Sequence, residues 1–348
     1  MQTFFRTIGV MSGTSLDGID LAYCEFELQQ NGKWKFEIKK HETIPYTEIW
    51  RKKLKNAPLL SGLDLSLLSV EYGHYTGQCI REFIRSNKLE PHFAAVHGHT
   101  VFHQPERKLT LQIGEGSAIA AQSGLPVITN FRTLDVALGG QGAPLVPIGD
   151  ILLFSEYDYC LNLGGIANIS SSSSRIAFDI CPCNMALNFL AEQQGQDYDK
   201  DGEIARKGTV QPNLLAKMNA LEYYDKKPPK SLGIEWFEKK FKPLLTSGAT
   251  TEDLLATTIE HIAIQIAANS SNGKMLITGG GALNKFLMER IEHQTSANVV
   301  PAPENIINYK EALIFAFLGV LRLQQQTNTL ASVTGATKDS TGGSIYLP

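Results

Sequence analysis

The chain has 348 residues, with 32 Lys plus Arg against 35 Asp plus Glu, 43% hydrophobic and 19% charged. That length exceeds what one core usually serves, and the near-balanced charge excludes both a polycationic nucleic-acid binder and a disordered chain. No uncharged apolar run reaches membrane-spanning length, and MQTFFRTIGVMSG at the start lacks the apolar core of a signal peptide. Five cysteines are an odd number in a chain too long to need disulfide staples, so a reduced, cytoplasmic setting is expected.

Residues 3–11, 19–28 and 34–43 are rich in β-formers and predict three antiparallel strands. Helical spacing follows over 46–56 and 62–88. The second helix carries Leu63, Leu67, Leu68, Tyr72, Tyr75, Cys79, Phe83 and Ile84 at intervals of three and four. A short buried strand covers Phe93 to His97. TLQIGEGSAIAAQSG then predicts a strand, a glycine turn and a short helix, and LPVITN another strand. From residue 158, DYCLNLGGIANISSSSSRIAFDI repeats the opening order of strand, turn, strand, turn, strand, with Ser170 to Ser174 as a hairpin turn. Helices are expected at 184–195 and 251–269, a strand at Lys274 to Thr278, and helices at 283–293 and 310–323. KKPPKSLG, residues 226–233, reads as a surface loop.

Two β-β-β-α-β-α units of this kind predict an α/β, two-lobed actin-like ATPase fold (ASKHA, ribonuclease H-like) with a central cleft for nucleotide and sugar. Residues 1–149 with 310–348 would form lobe I, and 150–309 lobe II on the adenosine side. Three glycine-rich turns suit a nucleotide. In GVMSGTSLDGID, Gly13, Leu16, Gly18 and Ile19 offer backbone to phosphate oxygens, Thr14 and Ser15 add hydroxyls, and Asp17 and Asp20 are hard oxygens for Mg²⁺, directly or through water. The competing reading of this turn is a long hairpin with Asx-type bonds. Asn162, Gly164 and Gly165 form the second turn. Gly279, Gly280, Gly281 and Asn284 form the third, where backbone without side chains lets a flat ring lie close. No Walker A pattern is present.

These stretches, with HGHTVFHQP (97–105), TLQIGEGSAIA (110–120), NFRTLDVALGGQGAPLVP (130–147), FDICPCN (178–184), LITGGGALN (276–284), KEALIFAFLG (310–319) and VTGAT (333–337), resemble the anhydro-N-acetylmuramic acid kinase family almost end to end. The resemblance implies ATP and Mg²⁺ as cofactors and a small anhydro amino sugar as partner, with neither nucleic acid nor membrane; a homodimer is among the assemblies it admits. It implies opening of a 1,6-anhydro ring by water and phosphorylation of O6 to give N-acetylmuramic acid 6-phosphate, in peptidoglycan recycling. The family's Asp-Thr-Gly-Pro-Gly-Asn motif puts its catalytic base on Asp179. Ile180, Cys181 and Cys183 replace Thr, Gly and Gly. A cysteine would be strained if either glycine needs positive φ, and would otherwise narrow the site.

On the sugar side, Arg132 suits a lactyl carboxylate because a guanidinium forks onto one; an ion pair with Asp135 or Glu115 competes with that role. The family usually has Asp where this chain has Asn130. His97, His99 and His103 admit a zinc reading, but without HExxH or cysteine partners they read better as a polar strand-end cluster lining the sugar pocket. There Gly98, His99 and Thr100 would meet sugar hydroxyls. Gly139 to Gly142 reads as a loop near the cleft. Glu311, opening the last helix, would either point at the ligand or complement the helix N-terminus. Two alternatives stand beside the main reading: a kinase of another 1,6-anhydro sugar such as levoglucosan, and a nucleotide-binding sensor impaired in catalysis through Ile180 to Cys183.

Overall fold

The computed structural model describes residues 2–13, 16–228, 230–246 and 248–348. The chain divides into two compact units, residues 1–153 with 309–348 and residues 154–308. No helix among the described residues is long and apolar enough to cross a membrane.

In the first unit, strands β1 (Phe4–Met11), β2 (Gly18–Leu28) and β3 (Trp34–Pro45) form an antiparallel meander. Strand β4 (Phe93–Val96) runs parallel to β1. A separate two-stranded hairpin is made by β5 (His99–Gln104) and β6 (Leu109–Ile113), and β7 (Val127–Thr129) lies parallel to β4. In the second unit β8 (Tyr159–Leu163), β9 (Ile166–Ser171) and β10 (Ile176–Pro182) form another meander, extended by β11 (Lys274–Thr278) and β12 (Asn298–Pro301), both parallel. The C-terminal β13 (Ser344–Tyr346) pairs antiparallel with β7. The sheet orders are β13-β7-β4-β1-β2-β3 and β10-β9-β8-β11-β12. Each unit thus contains three antiparallel strands followed by two parallel ones, the repeated pattern expected of the actin-like α/β class.

The pattern arises from ordinary side-chain chemistry. The central β1 is buried on both faces, whereas the edge strand β3 presents Lys35, Glu37, Lys39 and Lys40 to solvent. Charge on an edge blocks pairing with another chain. The helix Gly62–Asn87 starts on the Ser61 hydroxyl, which accepts the Asp64 N–H, and ends on left-handed Lys88. Its buried stripe begins only at Leu68. Leu63 and Leu67 are 71% and 59% exposed, so the apolar spacing overstates the buried face by its first two turns. The hairpin strand β5 and the short strands β12 and β13 escape the sequence reading, because three to six residues at an edge carry little periodic signal.

The last long helix runs Glu304–Leu323, six residues earlier than expected. Within the first unit its stretch from Ala312 to Leu321 is buried throughout. It lies directly on β1. A Cβ added at Gly9 would stand 1.8 Å from the Ala312 carbonyl oxygen, so only glycine permits this approach. Beside it, Lys310 Nζ pairs with Asp150 Oδ1 at 2.7 Å, with both side chains almost fully buried. The pairing is what makes two buried charges tolerable.

Replacing Gly9 with Ala forces the helix off the sheet. A loss of about 3 kcal/mol of stability is expected from such overpacking, read as a lowered urea midpoint. An unchanged midpoint would contradict the close contact.

Candidate functional site

The β1–β2 turn of the first unit holds the first group of candidate residues. Thr14 and Ser15 lie outside the described residues. Leu16 has φ of 59°, a conformation that costs an L-residue about 1 kcal/mol and that marks a constrained turn. The Asp17 carbonyl accepts the Tyr46 N–H at 3.1 Å, and its Oδ1 accepts the Gly18 N–H at 3.0 Å. Gly18 approaches the Ile44 carbonyl too closely for a side chain. Ile19 is fully buried in the unit's core, leaving only its backbone for any ligand role. Asp20 Oδ1 accepts the Thr43 hydroxyl at 2.6 Å, and Tyr309 donates in turn to Thr43 at 3.0 Å. Burial raises the Asp20 carboxyl above its ordinary range; the Thr43 bond lowers it and the nearby Asp17 charge raises it further. Leu16 and Asp17 also border a hollow of about 530 Å³ with Glu48, Arg51, Lys52 and Lys55.

Arg132 anchors a second group in the same unit. Its Nε donates to His97 Nε2 at 2.9 Å and its Nη1 to the Gly142 carbonyl at 2.7 Å. Because Arg Nε can only donate, His97 accepts there and carries its proton on Nδ1. Burial and the Arg132 charge hold His97 neutral, well below the ordinary histidine range. The expected competitors for Arg132 are engaged elsewhere. Asp135 accepts the Gly142 N–H and the Thr334 hydroxyl, each at 2.7 Å, and Glu115 accepts the Ser117 hydroxyl at 3.2 Å. Burial pushes Arg132 down to about 10, offset by Glu311, so it stays charged at neutral pH. Crowding by protein raises the Glu311 carboxyl; Arg132 pulls it down and Asp20 pushes it up. Glu311 therefore lies within electrostatic reach of both Arg132 and Asp20 in this unit. Glu311 lies about two turns into the helix that begins at Glu304, so the helix N-terminus is not its partner.

The three histidines do not form a metal centre. Gly98, with φ of 80°, separates His97, just past the end of β4, from His99, which opens β5, so the two do not lie on one strand. His99 Nδ1 meets Ser12 Oγ at 3.2 Å, Ser12 meets the Tyr46 hydroxyl at 2.7 Å, and burial lowers His99 to about 4. His103 Nδ1 meets Thr110 at 3.1 Å, and Thr100 Oγ1 accepts from Gln112 at 3.3 Å. Among the described residues no group of three or more His, Cys, Asp or Glu is arranged to hold a metal. Asn130 has φ of 59°, a left-handed turn that asparagine tolerates better than most residues.

The second unit gathers its candidates at the C-terminal ends of β8 and β11, the side of an α/β sheet where ligands bind. Asn162 pairs in register with Thr278, and Gly279 follows with φ of 84°. A Cβ at Gly279 would meet Asn162 Oδ1 at 2.7 Å, and one at Gly281 would meet the Leu163 side chain at 2.7 Å. Around Gly280 the nearest such atom is Asn184 Nδ2 at 3.8 Å, so space is left over that residue. Asn184 donates to the Leu163 carbonyl at 2.9 Å, and its own N–H to the Gly164 carbonyl at 3.1 Å. Gly165 is exposed. Asn284 is occupied as a helix cap, accepting the Leu287 N–H at 3.0 Å.

Asp179 sits on β10, half-buried, one residue before a bulge. The KKPPKSLG segment, read from sequence as a plain surface loop, holds it. Asp179 Oδ2 accepts the Leu232 N–H at 2.9 Å, its N–H donates to the Lys230 carbonyl at 3.3 Å, and its carbonyl accepts the Tyr223 hydroxyl at 2.6 Å. Burial raises the Asp179 carboxyl, and the Leu232 N–H partly offsets that. One carboxylate oxygen, Oδ2, is thus pinned by the loop backbone. Sequence reasoning had no signal for Tyr223, Lys230 or Leu232, since two of the three contacts use backbone atoms. Cys181 and Cys183 are fully buried in the core with Leu163, Ala186 and Leu187. Neither adopts positive φ, and Cys183 has φ of −123°, so the expected left-handed strain does not arise.

A family model for anhydro-N-acetylmuramic acid kinase matches residues 5–348. The anhydro-N-acetylmuramic acid kinase of Sulfurimonas denitrificans is 33% identical over 375 residues, covering 99% of this chain and 100% of its own. That of Mannheimia succiniciproducens is 35% identical, covering 97% and 98%, and that of Vibrio cholerae 33%, covering 98% of each. On a match of this extent, the chain belongs to the anhydro-N-acetylmuramic acid kinase family.

Proposed function

We propose that this protein is an ATP-dependent kinase that opens 1,6-anhydro-N-acetylmuramic acid with water and phosphorylates O6, giving N-acetylmuramic acid 6-phosphate for peptidoglycan recycling. The observation that carries the reading is the family match over residues 5–348. In the reaction the water oxygen bonds to C1 as the C1–O6 bond breaks. O6 bonds to the γ-phosphorus and ADP leaves. Asp179 takes one proton of the water, and the other remains on the new C1 hydroxyl. A cytoplasmic setting suits the five cysteines, all of them buried and none in a disulfide.

Each role rests on a specific environment. A half-buried carboxylate raised above its ordinary range is better matched to proton abstraction than an exposed one. The free guanidinium edge of Arg132, already anchored by His97 and Gly142, suits a lactyl carboxylate. Gly98, His99, Thr100 and Glu311 are the candidates for the sugar hydroxyls. Asn162, Gly164, Gly165 and Gly279 to Gly281 offer backbone and amide groups to the nucleotide. Asp17 and Asp20 suit Mg²⁺, whose usual protein share is one or two carboxylates beside substrate phosphates. Asp17 repels charge on Asp20, and a divalent ion would relieve that repulsion. When bound, the ion would neutralise charge on the phosphates. Asn284, already capping a helix, is left with at most a secondary part.

Five outcomes test the reading. The protein with Mg·ATP should release ADP only when 1,6-anhydro-N-acetylmuramic acid is present, levoglucosan serving as the control sugar. Asp179→Asn should abolish this release while ADP binding persists. Because the Asp179 carboxyl is raised above 3.8, kcat/KM should fall on acidification through a pH above that value, as the base becomes protonated. Tyr223→Phe removes a hydrogen bond worth about 1 kcal/mol and should lower kcat about fivefold at unchanged KM for ATP. Asp17→Asn and Asp20→Asn should each raise the Mg²⁺ concentration needed for half-maximal turnover. An identical Mg²⁺ titration in both variants would remove the ion from these residues.

A further inference from the structure

We propose that Asn168 is a water-binding residue of this reaction, holding beside Asp179 the water that attacks the sugar; the proposal rests on reading Asp179 as the base. The argument is one of register. Asp179 on β10 stands directly opposite Asn168 on β9, and Asn168 stands directly opposite Asn162 on β8. Opposite residues of an antiparallel pair share a face, with Cβ atoms about 5 Å apart. Asp179, Asn168 and Asn162 therefore form one polar row across three strands. The row continues in register to Thr278, next to the Gly279–Gly281 turn.

Burial separates this row from its surroundings. All three side chains are half-buried. The next row on the same face, Ala177, Ser170 and Cys160, is buried, and Ser170 donates to the Cys160 carbonyl at 3.5 Å. The opposite face, with Phe178, Ile169 and Leu161, belongs to the hydrophobic core. Beyond Asp179 the register shifts, and Cys181 turns into that core. Bulges of this kind re-aim side chains beside active sites. The side chain directly opposite the base is thus a carboxamide, able to donate and to accept.

The chemistry needs such a group. Asp179 Oδ2 is held by the Leu232 N–H, so Oδ1 takes the proton. A water held by one carboxylate oxygen alone can rotate. A second anchor fixes its lone pair toward C1, and fixing a nucleophile in line is where much of such catalysis comes from. The charged or titratable groups near Asp179 are Lys230, Tyr223 and Cys181. Lys230 lies over the Tyr223 and Phe178 rings, Tyr223 is committed to the Asp179 carbonyl, and burial keeps the Cys181 thiol protonated. None of these three stands opposite Asp179 in the sheet, as Asn168 does.

The test uses the full chain with Mg·ATP and 1,6-anhydro-N-acetylmuramic acid, comparing Asn168→Ala, Asn168→Asp and Asp179→Asn. Asn168→Ala should lower kcat at least about tenfold, as loss of one positioned donor does, with ADP affinity within twofold of wild type. Asn168→Asp places a second carboxylate beside the base. It should move the acid limb of the kcat profile upward by about one pH unit, because like charge disfavours ionised Asp179. Asn168→Ala turning over within twofold of wild type, while Asp179→Asn is inactive, overturns the Asn168 role alone. Full turnover by Asp179→Asn overturns the base reading as well. A loss of ADP affinity matching the loss of kcat in Asn168→Ala would make the residue a nucleotide contact and overturn the proposal. If Asn168→Ala does not fold, the acid limb of Asn168→Asp decides, and an unmoved limb overturns it.

Discussion

The contact between Gly9 on β1 and the carbonyl of Ala312 sets the geometry of the first unit. No side chain fits at Gly9, so the buried helix lies flat on the central strand. That contact fixes where the next side chains go. Lys310 reaches Asp150 in a buried ion pair, and Glu311, one residue on, falls within electrostatic reach of Arg132 and Asp20. A carboxylate two turns inside a helix and an arginine just after β7 thus become neighbours because backbone meets backbone elsewhere. The same economy holds at Arg132. Asp135, a natural ion partner three residues away, is diverted to the Gly142 N–H and the Thr334 hydroxyl, which leaves part of the guanidinium for a ligand.

In the second unit the corresponding constraint is strand register. The three-strand meander carries its apolar residues on one face and a row of Asp179, Asn168 and Asn162 on the other. The glycines after β11 then let backbone approach Asn162 and Leu163 closely. The bulge after Asp179 sends Cys181 and Cys183 inward. There they act as small apolar fillers, with thiols raised by burial and chemically quiet. The departure from the family motif in this chain is absorbed by the core, and it leaves the carboxylate of Asp179 in place. Ile180 carries no hydroxyl, and the Leu232 N–H is the group that meets Asp179 here.

Much of this was legible in the chain. The two meanders, the long helices and the glycine turns follow from alternation, three-and-four spacing and turn chemistry, and the local order repeats because each unit solves the same packing problem. Errors cluster where the signal is local but the cause is not. Leu63 and Leu67 obey helical spacing yet face solvent, because nothing in the unit covers the first two turns. His97 and His99 alternate as if on one strand, yet a left-handed glycine divides them. Glu311 looked like a helix opener, yet the helix begins seven residues earlier, at Glu304.

The sequence by itself determined the family, the order of elements and the identity of the carboxylates, glycines and arginine on which the chemistry would draw, since these depend on residue type and local spacing. Only the tertiary structure decided which of them meet. Asn162 and Asn168 face the same side because Leu163 pairs with Ala167 across the glycine turn. A hairpin shorter by one residue would place Ala167 opposite Asn162 and turn Asn168 to the other face. The loop that grips Asp179 does so with a backbone N–H and a backbone carbonyl, groups every residue possesses and no composition can single out.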